Sequence, residues 1–149
     1  MRRTLITALA LMTACGRADE PAPATAEPRD VTIADFVGTW EGTVMTQDSD
    51  AAVAHIELLA SPREDGWSFT VVSVANPARS TTSPSRVISY GGDSVIVEAG
   101  PFASVLREGE TVSTHSVYRL RGDRLEGTIH ASYSSGMDVV LRAEARRRP

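Results

Sequence analysis

Three histidines, one cysteine and a scatter of serines are the side chains whose types could carry chemistry in this chain of 149 residues. Reading Gly122-Asp123 as a two-residue hairpin turn pairs Arg121 with Arg124, and counting away from the turn sets His115 directly opposite His130. Two imidazoles at about 5 Å spacing could ligate a soft divalent ion. A native site needs at least three protein ligands, however, and this face supplies only Ser and Thr besides. The expectation is solvated histidines and no bound metal, and His55, on the polar side of an earlier strand, reads the same way. Ser113, Ser116, Ser132, Ser134 and Ser135 stand in no consistent arrangement with a His and a carboxylate. No Gly-x-Ser-x-Gly elbow, phosphate loop or dinucleotide fingerprint occurs either. No catalytic residue and no cofactor is therefore expected, and the chain reads as a non-enzyme. Arg121-Gly122-Asp123 spells an integrin-type tripeptide, which a Gly-Asp turn flanked by solubilising charges explains.

Fifteen arginines and no lysine stand against nineteen acidic residues, a formal net charge of -4. That balance argues against nucleic acid, because a binder of the phosphate backbone normally carries a basic excess. Cys15 is the only thiol, so no internal disulfide can form. The length suits one domain with an extension.

The extension has its own pattern. Residues 1–14 run from Met1-Arg2-Arg3 through a nearly unbroken apolar stretch, Thr4 to Leu11, to the small residues Thr13 and Ala14. A charged start, a short apolar run and small residues before a cut describe a secretory signal, too short for a permanent transmembrane helix. Leu11-Met12-Thr13-Ala14-Cys15 resembles the bacterial lipobox, which implies cleavage before Cys15 and lipidation of its thiol. The alternative is a free cysteine ending an ordinary signal peptide, and the position of the sole thiol where the lipid would go favours the lipoprotein. Residues 15–31, with Pro21, Pro23 and Pro28 among Ala and charges, are expected to form a solvated tether. Gly16 after the cysteine resembles the pattern of lipoproteins sent on to an outer membrane, with the inner membrane as the other destination.

From residue 32 to 149 the apolar residues alternate with period two over short runs bounded by Gly, Pro, Asp and Ser, the signature of half-buried antiparallel strands. The runs are Gly38 to Met45, Ala52 to Ala60, Trp67 to Val74, Ser85 to Tyr90, Ser94 to Ala99, Thr111 to Arg121, Arg124 to Tyr133 and Met137 to Ala145. Ile33 to Val37 alone could make a helical turn, with Thr32 as its cap. The Gly122-Asp123 hairpin collects Val112, Tyr118, Leu120, Leu125, Ile129 and Tyr133 on one face, a set that a one-residue slip would scatter. Ser134-Ser135-Gly136 fits a three-residue loop that pairs Tyr133 with Met137 and puts Met137, Val139, Leu141 and Ala143 on that same face. The turn at Gly91-Gly92-Asp93 admits two registers. Eight consecutive strands with short connections predict an all-β, eight-stranded antiparallel up-and-down barrel, closed to remove its edges, with a two-sheet sandwich as the alternative.

Ile33-Ala34-Asp35-Phe36-Val37-Gly38-Thr39-Trp40 resembles the opening of lipocalin-like and wider calycin barrels, where a helical turn precedes Gly-x-Trp. The resemblance implies that Trp40 plugs the narrow end, that Gly38 allows close backbone approach, and that an arginine of the last strand packs on the indole. Arg142 is the expected match, with Arg146 second, although the hairpin register points Arg142 outward. The inward set mixes small residues such as Ala54, Thr114, Ser116, Gly127 and Ala131 with Trp67, Phe69, Tyr118 and Tyr133. Small inward residues leave room for a ligand, and the four aromatics are the candidate cavity residues. Two functions compete for this monomer. One is a membrane-anchored binder of a small apolar ligand, in the periplasm or at the cell surface. The other is an interaction or envelope-assembly module with a packed interior, using an exposed patch of Phe102, Val105 and Leu106.

Overall fold

Strict alternation of buried and exposed residues, as in Ala54 to Ala60, commits each strand to one inner face, and eight such strands satisfy one another by closing. The structure, a computed structural model, describes residues 30–149; Cys15, the signal segment and the tether up to residue 29 lie outside the described residues. A helical turn α1 (Ile33–Phe36) leads into β1 (Gly38–Thr46), β2 (Ala52–Ala60), β3 (Trp67–Ser73) and β4 (Ser80–Gly91). β5 (Ser94–Ala103), β6 (Thr111–Arg121), β7 (Arg124–Tyr133) and β8 (Asp138–Arg147) follow. Each strand pairs antiparallel with the next, and β8 returns to β1, so the sheet is a closed eight-stranded up-and-down barrel and not a sandwich.

The β6–β7 hairpin has the register that its turn demands: Arg121 faces Arg124, Leu120 faces Leu125 and His115 faces His130. The open register at the β4–β5 turn resolves to Gly91 opposite Ser94 around Gly92-Asp93, with a bulge between Val87 and Ser89. Two strands run further than their sequence suggests. β4 begins at Ser80, before Pro84, because paired contact with β5 stops at Ser85 opposite Ala99, so the missing proline N–H leaves no gap in that ladder. β5 continues past a register shift after Ala99 to Ala103. Met137 does accept the Tyr133 N–H through its carbonyl, yet it lies in the turn before β8 with its side chain exposed, unlike the inward Leu141 and Ala143 of that strand.

The two ends of the barrel differ. At the closed end Phe36, Trp40, Trp67, Val95 and Leu125 are almost wholly buried. Thr32 donates its N–H to the Asp35 carboxylate, which fixes α1 and sets Phe36 over Trp67 at 6.2 Å between ring centres. Both indoles find carbonyl partners: Trp40 Nε1 donates to Phe36 O (2.7 Å) and Trp67 Nε1 to Ser61 O (2.9 Å). The seam between β1 and β8 needs Gly42, where a Cβ would lie 1.9 Å from the Glu144 carbonyl oxygen.

The arginine on the plug is Arg147, not Arg142 or Arg146. Its guanidinium carbon stands 4.3 Å from the Trp40 ring centre, and it donates to the carbonyls of Asp35 and Val37. Strand parity explains the correction: Arg147 is the register partner of Trp40 and shares the inward parity of Leu141 and Ala143. Arg142 sits opposite Met45, about 17 Å further along the strand, and its side chain ties down the β1–β2 loop through Asp50 (2.8 Å) and Ser49 O (3.1 Å).

Candidate functional site

Where the closed-end packing stops, the inner face leaves a cavity of about 70 Å³ toward the opposite end. Its two walls follow from strand composition. β1 to β3 contribute aliphatic side chains, Val44, Ala54, Ile56, Leu58 and Val71. β4 to β7 contribute a transverse row of short ones, the register partners Ser85, Ala99, Thr114 and Ala131, flanked by larger side chains such as Val97, Val112 and Ile129. The row of short side chains leaves space that the surrounding larger ones do not fill.

Aromatic side chains and the β5–β6 connection partly cover the mouth. Phe102 packs edge-on against Phe69 with centroids 5.1 Å apart, reaching across the small residues of β4. Val105 is buried and Leu106 half-buried, and both line the cavity. Ser104 shapes this segment: its hydroxyl accepts from the N–H groups of Leu106 (3.2 Å) and Arg107 (3.0 Å), while its own N–H donates to Glu110 O (2.9 Å). Pins hold it down from outside: Arg79 with Glu108, the Ser135 hydroxyl on Glu110 (2.6 Å), and the Arg107 guanidinium 5.1 Å from the Tyr133 ring centre. Phe102, Val105 and Leu106 thus form no exposed patch. In sequence they look like an apolar triplet in a long loop; in space they turn inward because the cavity mouth is the nearest apolar surface.

Three of the four expected cavity aromatics, Phe69, Tyr118 and Tyr133, line this space. Trp67 does not, because it heads β3 at the closed end and packs against Phe36. Tyr118 owes its position to Gly127, its partner across the β6–β7 ladder, where a Cβ would press to 2.7 Å against the phenol ring. Burial pushes the Tyr118 hydroxyl above its ordinary pKa of 10.0, and a hydrogen bond from Ser116 works in the opposite direction. It stays protonated near neutral pH, a hydrogen-bonding group and not a base.

No ionised side chain lines the cavity among the described residues. One polar atom in it stands out. Ser85 is 5% exposed, and its Oγ has no hydrogen-bond partner among the described residues. The only sequence signal for Ser85 was a polar residue on the inward parity of β4, obscured by Pro84 beside it.

The outer face holds the histidine pair. His115 Nδ1 lies 3.4 Å from Glu98 Oε1, and Arg86 reaches the same carboxylate at 3.5 Å. No group of three or more His, Cys, Asp or Glu side chains is placed to hold a metal among the described residues. At the closed end Asp93 receives Arg121 at 2.5 Å and Arg119 at 3.9 Å; the Arg121 hydrogen bond, first of all, holds its carboxyl below the usual range. Compared with protein-family models, with curated proteins and with solved structures, the chain finds no match.

Proposed function

We propose that this chain is an exported bacterial lipoprotein, anchored through lipid on Cys15, whose barrel binds a small apolar ligand in the periplasm or at the cell surface. The observation that carries the ligand half is the cavity: partly open at one end, mostly aliphatic and aromatic, free of ionised lining side chains among the described residues, with a few hydroxyls turned inward. Binding without catalysis suits a site whose lining tyrosine, Tyr118, is held protonated by burial. The anchoring half rests on the lipobox resemblance and on the sole thiol at Cys15.

The described chain enters the barrel at one defined place. Val31 N–H donates to Gly92 O (2.8 Å) and Gly92 N–H to Asp30 Oδ1 (3.1 Å), so the described chain begins against the β4–β5 turn at the closed end. Native mass spectrometry and solvent extraction of protein purified from its own envelope test the binding directly. A stoichiometric small apolar molecule supports the binder; a close-packed, empty barrel that copurifies with a protein partner favours the interaction module. Detergent phase separation tests the anchor: wild type should enter the detergent phase and Cys15→Ala the aqueous phase, and wild type in the aqueous phase would refute lipidation.

A further inference from the structure

Resting on the binding reading above, we infer that the cavity takes a small uncharged molecule with a single hydrogen-bond acceptor, of the chemical class of a short-chain ketone, and that Ser85 holds its oxygen. The Ser85 side chain is more than nine-tenths buried on the inner face, and its Oγ lacks a partner among the described residues. A buried hydroxyl without a partner is unfavourable, and a ligand oxygen accepting its proton removes that penalty. Three nearby hydroxyls are engaged elsewhere: Ser116 with Tyr118, Ser83 with the Pro84 carbonyl (3.1 Å), and Ser104 with the N–H groups of Leu106 and Arg107.

Charge and volume narrow the class further. With no ionised side chain on the lining, a ligand carboxylate or ammonium would be buried unpaired, which is far costlier than burying a carbonyl. The 70 Å³ of space corresponds to roughly five to seven water-sized atoms at about 10 to 15 Å³ each. The aliphatic wall of Val44, Ile56 and Leu58 then covers the carbon chain while the Ser85 row receives the head.

Three probes of nearly equal length separate the possibilities: 2-hexanone, hexane and hexanoate, each titrated into the full-length chain and followed by protein NMR. The ketone should bind at least tenfold more tightly than either of the others. Ser85→Ala should weaken 2-hexanone about fivefold to tenfold, leave hexane unchanged, and leave the melting temperature equal or higher, since it deletes a buried polar atom without a partner. Equal binding of ketone and hexane, unaffected by Ser85→Ala, would overturn the role of Ser85 while sparing the binding reading. Tightest binding by hexanoate would overturn the neutral-ligand class. Failure of all three probes to bind would refute the binding reading itself, and this inference with it.

Discussion

Removing the guanidinium of Arg147 should destabilise the barrel, while the same truncation at Arg142 should not. Arg147 stacks 4.3 Å from the centre of a fully buried indole and donates to the carbonyls of Asp35 and Val37, so it clamps α1 and the start of β1 over the plug. A cation over Trp at a solvent-facing site contributes about 0.5 to 1 kcal/mol, and charge-assisted bonds to two carbonyls add a comparable amount after solvent screening. Arg147→Ala should therefore cost about 1 to 2 kcal/mol, a fall of roughly 4 to 8 °C in Tm for a domain of this size. Arg142 pairs with Asp50, whose side chain is 97% exposed, so Arg142→Ala should stay within about 0.5 kcal/mol of wild type. Trp40→Ala sets the upper scale at about 3 to 5 kcal/mol, as a fully buried aromatic truncation. Urea unfolding followed by tryptophan fluorescence measures all three. Equal costs for the two arginine variants, or an Arg147→Ala loss below about 0.5 kcal/mol, would show that the clamp is not what holds the closed end.

Gly42→Ala forces a Cβ to within 1.9 Å of the Glu144 carbonyl oxygen and should cost about 1 to 3 kcal/mol or more, with faster hydrogen exchange along β1 and β8. Gly91→Ala, which meets nothing within 4 Å, is its control, and equal losses would refute the tight seam. Tyr118 binds its proton more firmly folded than unfolded, so stability should be fully present below about pH 10 and decline as pH rises through the raised folded value. The chain has no lysine to blur this alkaline range, and in urea unfolding at pH 9 and pH 11 Tyr118→Phe should flatten the decline; an unchanged slope would put its source elsewhere. Asp93 gives the opposite sign: its contribution is present above about pH 4 and is lost as pH falls, so Asp93→Asn should reduce the acid sensitivity of unfolding between pH 5 and pH 2.

Most of the architecture was legible without coordinates because most of it is local. In an up-and-down barrel each strand pairs with its chain neighbour, so a two-residue turn at Gly122-Asp123 and the parity of Leu120 and Leu125 determine a full ladder, His115 opposite His130 included. The features decided by tertiary structure all join distant parts of the chain. Which arginine reaches Trp40 depends on the stagger with which β8 closes on β1, some hundred residues away, and that stagger selected Arg147 over Arg142. Whether Phe102, Val105 and Leu106 face solvent or the mouth depends on the closed barrel offering them an apolar rim. The orphaned hydroxyl of Ser85 arises the same way: residue type and parity place it inside, but only its setting between β3 and β5 in the closed barrel leaves its Oγ without a partner among the described residues. A two-residue period records which face a side chain takes; it carries no record of what waits on the far side of the barrel.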